Sequence, residues 1–243
     1  MNNTDTGLKG KNILIAGGSS GMGLAIAKKA LDEGAIVHLV STSLDKLETA
    51  KEELGNTNVF IYTVDISKED EVTALAGQFS RLDHLVTTAA RLTFKPLLQL
   101  TKTEIEQMLG SKFWGPVLLT QKFAPQLSKD GSIVYFSGVA ADKGSAGAAI
   151  VGAVNSALHG LAKNLVYELS PIRVNVVSPG VVATPTWDFM SKDDQKGFYE
   201  GVADGLPAKR VGEAEDLAET AVYLMKNKYT NGTVITVDGG ANA

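Results

Sequence analysis

A glycine-rich turn constrains this chain more than any other stretch. The apolar run Ile13-Leu14-Ile15 leads into Ala16-Gly17-Gly18-Ser19-Ser20-Gly21-Met22-Gly23. Met22, Leu24, Ile26, Ala27, Ala30 and Leu31 then recur at helical spacing. That order reads as strand, tight turn, helix. Such a turn points backbone N–H groups and a helix N-terminus at a pyrophosphate. Gly17 permits the turn, Gly21 lets a phosphate approach the backbone, and Gly23 lets the helix pack on its strand. A plain βα turn gives the same glycine spacing, so the flanking strand and helix carry the inference.

After the turn the chain alternates. Strands are expected at 12–16, 35–40, 59–63, 83–86, 132–136, 173–177 and 233–237. Helices are expected to 33 and over 44–54, 68–79, 103–127, 148–169 and 213–226. Strictly alternating βαβ units imply a parallel sheet with right-handed crossovers. The near-continuous apolar run 35–40 suits a strand covered on both faces. The expectation is an α/β fold, one doubly wound Rossmann-type domain over residues 1–243 with about seven parallel strands. Residues 1–10 are expected to be a loose arm.

Composition narrows function. At 243 residues and 44% hydrophobic, the chain can bury one substantial core. It has no cysteine, so disulfides and thiolate chemistry are excluded. Three scattered histidines argue against a metal site. A net charge of −4 without a basic patch argues against nucleic acid. No apolar run reaches membrane-spanning length and no leader pattern is present, so a cytoplasmic protein is expected.

Further segments fall in an order that resembles the short-chain dehydrogenase/reductase family, from Leu8 to Asn242. Besides the glycine turn there are Asp65-Ile66 after the third strand and Thr87-Thr88-Ala89-Ala90 after the fourth. Ser178-Pro179-Gly180-Val181-Val182-Ala183-Thr184 and Val237-Asp238-Gly239-Gly240 follow. The resemblance implies a nicotinamide cofactor held by Gly17, Ser19, Ser20, Gly21, Met22, Ser41, Thr42, Asp65, Ile66, Ala89, Ala90, Pro179, Gly180, Val182 and Thr184. It also implies a mobile substrate lid over 184–206, and a homodimer or homotetramer built on the two long helices. Gly152, Ala153, Ser156, Ala157 and Gly160 would allow close helix approach, with His159 at or near that contact.

The catalytic positions depart from the family, which carries Asn, Ser, Tyr and Lys. Here those positions hold Lys112, Gly138, Val151 and Asn155. The ammonium and the amide have exchanged helices. The expectation is carbonyl reduction, with Lys112 as proton donor and electrostatic stabiliser, Ser137 as a neighbouring hydroxyl, and Asn155 on the nicotinamide ribose. Ser137 stands one place early, and on a strand that shift exchanges faces. Pro116 has no N–H for the Lys112 carbonyl, so a kink is expected there, with that carbonyl left to water. Two other readings stay open: a nucleotide- or partner-binding protein without chemistry, and a non-redox dehydration or isomerisation.

The end of the second strand is Ser41-Thr42-Ser43, with neither an acid nor an arginine. An acid there would bind ribose hydroxyls and repel a 2′-phosphate. NADP(H) is therefore favoured over NAD(H). Phe94, Val151, Trp187, Phe198 and Tyr199 are the expected substrate residues, with Phe189 and Met190 nearby, and they suggest a small apolar or aromatic ketone or alcohol. Tyr199 is a reserve proton donor.

Overall fold

The computed structural model describes residues 7–243. A seven-stranded, all-parallel sheet runs in the order β3-β2-β1-β4-β5-β6-β7. Its strands are β1 (Asn12–Ala16), β2 (Ile36–Ser41), β3 (Val59–Thr63), β4 (Leu82–Thr87), β5 (Leu127–Phe136), β6 (Arg173–Pro179) and β7 (Val234–Val237). The order reverses between β1 and β4, where a doubly wound sheet opens its ligand crevice.

Alternating strand residues build two cores. On one face Ile13, Ile15, Val37 and Leu39 pack against α1 (Gly21–Asp32), α2 (Leu44–Leu54) and α8 (Ala214–Lys226). On the other face Leu14, Leu85, Ile133, Tyr135 and Val176 meet α3 (Glu69–Ala76), α5 (Gly115–Phe123) and α6 (Ala149–Glu168). Among the described residues no helix is long and apolar enough to cross a membrane.

Three expectations need correction. Residues 1–6 of the expected loose arm lie outside the described residues, but Leu8 is only 1% exposed and belongs to the first core. Gly10 N–H also donates to the Gly34 carbonyl, so residues 7–10 are anchored. The helix expected over 103–127 is divided. It consists of α4 (Lys102–Leu109), a π turn (Gly110–Trp114), α5, and a 3-10 turn (Ala124–Gln126). Pro116 supplies no N–H to Lys112, and the ladder widens so that Gly115 N–H donates to the Gly110 carbonyl. The segment after β6, not assigned a helix from sequence, carries α7 (Lys192–Gly205), capped by the Ser191 side chain.

Candidate active site

The crevice at the β1–β4 reversal is a cleft of about 310 Å³. Gly17, Ser19, Ser20, Gly21 and Met22 form one wall. Ser41, Thr42, Asp65, Ile66, Ala89, Ala90 and Thr184 complete the lining expected from sequence. Gly17 has φ +87°, and a Cβ there would lie 2.5 Å from Ala89 N and 2.7 Å from Thr88 Oγ1. A Cβ on Gly23 would collide with the Gly17 carbonyl. Thr88 seals the turn from below, its hydroxyl donating to the carbonyls of Ala16 (3.0 Å) and Gly17 (3.2 Å).

This cradle fits a dinucleotide. Ser20 makes no side-chain cap to α1 and the first turn holds no acid, so the helix N-terminus faces the cleft with amides and positive dipole. Ser19 and Ser41 hydroxyls bond each other at 3.0 Å, while Ser43 caps α2 through the Lys46 N–H. Lys46 lines the cleft beside Ser41 and Thr42, a cation that sequence reading missed one turn into α2. Arg91 and Ser111 also line it and were missed. Burial pushes the Asp65 carboxyl up, but hydrogen bonds from Ser67 and the charges of Arg91 and Lys68 outweigh it and hold the group below the usual range.

The expected cofactor residues Asn155, Pro179, Gly180 and Val182 lie beyond this cleft lining. Pro179 ends β6, Gly180 N–H donates to the Val237 carbonyl, and Val182 bridges to Gly212. A Cβ on Gly180 would lie 2.8 Å from the Asp238 Cα, so this turn admits only glycine without movement.

The two exchanged residues converge after β5. Lys112, in the π turn, is 7% exposed and donates from Nζ to the Ser137 carbonyl at 2.9 Å. No carboxylate among the described residues pairs with it, and burial lowers its pKa from the usual 10.5 to about 8. From the opposite side, Asn155 on α6 donates from Nδ2 to the Gly138 carbonyl at 3.2 Å. The ammonium and the amide thus bind consecutive peptides. Among the described residues Asn155 Oδ1 is buried without a partner, as are the hydroxyls of Thr87 and Ser178 at the same ends of β4 and β6. An orphaned acceptor keeps hydrogen-bonding capacity of the kind a ribose hydroxyl would fill. A Cβ on Gly138 would lie 2.9 Å from Asn155 Nδ2, so the glycine makes room for the amide.

Ser137 does not take the expected place. Its hydroxyl bonds His159 Nε2 at 2.8 Å and the Val177 carbonyl at 3.4 Å, so its carbonyl, not its hydroxyl, meets Lys112. His159 therefore supports the strand end. Burial outweighs the nearby Asp142 charge and holds its pKa below 6.5. Val151 is 3% exposed and packs with Met108 and Ala148 in an apolar wall where the family places its tyrosine.

On the open side four of the five expected substrate residues, Phe94, Trp187, Phe198 and Tyr199, meet, and Val151 does not join them. Phe94 stacks on Trp187 with centroids 5.5 Å apart, and Phe198 lies 4.8 Å from the same ring. Tyr199 packs on Phe198. Burial raises the Tyr199 pKa and the Asp188 charge adds to the rise, while the Thr184 backbone opposes it.

Residues 16–242 match the family described as Enoyl-(Acyl carrier protein) reductase. A short-chain dehydrogenase/reductase of Stachybotrys chlorohalonatus is 32% identical, with 96% of this chain and 98% of the relative aligned. The crystal structure of a small-chain dehydrogenase in complex with NADPH is 33% identical, with a TM-score of 0.84 over 96% of this chain and 99% of that one. The MalC Reductase/Diels-Alderase of Malbranchea aurantiaca is 28% identical, with a TM-score of 0.90 over 98% of each chain.

Proposed function

The chain belongs to the short-chain dehydrogenase/reductase family, a family of oxidoreductases, and from that premise we propose that it reduces a small apolar ketone to the alcohol with NADPH. The observation that carries the reading is the convergence of buried Lys112 and Asn155 on the Ser137–Gly138 turn. When bound, NADPH supplies the hydride that the carbonyl carbon receives. Asn155 holds the cofactor's ribose through its free Oδ1. Lys112 gives a proton from Nζ to the carbonyl oxygen, which leaves the neutral amine and the alcohol. Without a carboxylate to neutralise it, the ammonium acts at full strength on the negative charge developing on that oxygen. A pKa of about 8 makes it a usable acid near neutrality. The Ser137 carbonyl, pinned by Ser137 N–H to Val177, sets where the ammonium sits. Segment 184–206 serves as the lid. The outer faces of α4, α5 and α6, where Ala153, Ser156 and Ala157 are exposed, serve as the contact of a dimer or tetramer.

The preference for NADPH follows from Ser41, Thr42 and Lys46, which offer donors and a cation to a 2′-phosphate with no acid to repel it. It agrees with the NADPH held by the 33%-identical neighbour. Ser41→Asp is expected to weaken NADPH binding roughly 10- to 100-fold while leaving NADH within about threefold, since the added charge stands beside the 2′-phosphate that NADH lacks. Calorimetric titration of both cofactors measures this, and equal losses would remove Ser41 from the phosphate site. The reductase reading itself is tested by NADPH oxidation over a panel of aryl and aliphatic ketones. Tight NADPH binding without turnover of any carbonyl compound would overturn it.

A further inference from the structure

The aromatic rings on the open side are arranged around one fixed indole. Trp187 donates Nε1–H to the Val182 carbonyl at 3.0 Å, which sets its ring plane. Phe94 covers one side with planes 20° from parallel, and Phe198 tilts against the indole at 46°. Phe94 comes from the segment after β4, and the other two from the segment after β6, so the stack bridges the loops on either side of the catalytic end. The backbone next to Phe94 is pinned, because Lys95 N–H donates to the Gly147 carbonyl at 2.9 Å. The Phe94 ring has no polar tether and is 39% exposed, so it can turn outward without uncovering the core.

We propose that Phe94 and Trp187 are a clamp for one flat aromatic ring of the substrate, with Phe94 swinging out to admit it. This rests on the reductase reading and names its substrate class: aryl ketones, whose ring is sandwiched while the carbonyl group projects from it. A ring in contact on both faces needs about 7 Å between the clamp planes, twice the ~3.5 Å carbon contact distance. The ring centroids stand 5.5 Å apart, and the gap between the faces can be no wider than that, so the clamp is closed on itself and must open. Opening exchanges one stacked pair for two. A saturated ring is thicker and has no π face, and it gains no second stack.

The test uses a Trp114→Phe background. The chain has two tryptophans, and this change leaves Trp187 as the sole indole. Trp114 is 53% exposed, packs on Phe113, and belongs neither to the cleft lining nor to the Phe94–Trp187–Phe198 stack. Emission is titrated with 2-acetylnaphthalene and with cyclohexyl methyl ketone in the presence of NADP⁺. Saturable quenching by the naphthyl compound alone is expected. Phe94→Ala should weaken it about five- to tenfold, and Phe94→Tyr, which keeps the π face, should restore it to within about twofold. Equal affinity for both ketones, or no loss in Phe94→Ala, overturns the clamp. The reductase reading fails separately. Selective quenching without NADPH oxidation of any carbonyl keeps the clamp and removes the reductase, whereas equal turnover of both ketones without selective quenching does the reverse.

Discussion

Lys112→Met is expected to lose activity and gain stability at the same time. Removing the proton donor and the buried positive charge should lower kcat for ketone reduction roughly 10²- to 10³-fold. In the parent, reduction should decline as pH rises through about 8, because the ammonium that gives the proton titrates there. The stability effect has the opposite sign. The folded pKa of about 8 lies below the usual 10.5, so the unfolded chain binds the extra proton between those values. Stability therefore rises with pH across that window and carries the full burial penalty below it. A shift of that size is worth about 3 kcal/mol, of which ~1–2 kcal/mol is returned when the Ser137 carbonyl loses its donor. The variant should be more stable by ~1–2 kcal/mol at pH 7, and this gain should vanish between about pH 9 and 10 and turn into a deficit of ~1 kcal/mol by about pH 10.5. Urea unfolding from pH 7 to 10.5 beside a pH–rate profile reads both effects. A variant with full turnover would move the proton donor elsewhere. Lost activity without a stability gain would mean that the amine is not buried as a charge.

The strands, their parallel direction and the glycine cradle were legible in the sequence because each follows from a local pattern. Leu14 and Ile15 differ by one residue and enter opposite cores, which is the period of two read directly from the chain. Helix α7 was not legible. It buries none of its residues, so it lacks an apolar stripe, and Gly197, Gly201 and Gly205 lower its propensity. Its start was written in Ser191 and the acids Asp193 and Asp194, a cap signal without a periodic helix behind it. The π turn was half legible. Pro116 announced the missing hydrogen bond, but whether the ladder would break or widen depended on packing around Ile66, whose side chain a Cβ on Gly115 would strike.

The site divides in the same way. The convergence of Lys112 and Asn155 followed from family positions, because two helices that cross the same strand end bring equivalent residues together. The direction of Ser137 was half legible, because its place one residue early pointed to the other face but not to the partner it meets there. Phe136 belongs to the first core and Tyr135 to the second, so Ser137 shares the face of Tyr135 and meets α6, where Leu158 is packed and His159 follows it. A hydroxyl placed one residue early is thereby committed to His159. Lys46 was missed for another reason. Its distance from the cleft is set by how α2 leaves β2, through Ser41, Ser43 and the cap they share, and no spacing rule encodes that angle.

Gly17→Ala is expected to damage cofactor binding and folding together, because the same atoms serve both. At φ +87° an L side chain is strained by ~1–2 kcal/mol before any contact is counted. The added methyl would then meet Ala89 N and the Thr88 hydroxyl at under 3 Å, and both belong to the segment that closes the turn. Ala89 cannot retreat cheaply, since its N–H and that of Thr88 both bond the Ala16 carbonyl. Overpacking of this kind should bring the total loss to ~2–4 kcal/mol, a fall in Tm of roughly 5–12 °C for a chain of this length. NADPH affinity should drop by about 100-fold or more, because the amides of Ser19 to Met22 aim at the cleft only while the turn keeps its shape. Gly197→Ala is the matched control. That glycine is exposed on α7 with nothing within 4 Å of a Cβ, so the same change should add ~0.5–1 kcal/mol. Scanning calorimetry with calorimetric NADPH titration separates the two. Equal behaviour of both variants would mean that the turn is not what holds the nucleotide, since only Gly17 couples a positive φ to a contact shared by β1, β4 and the cleft.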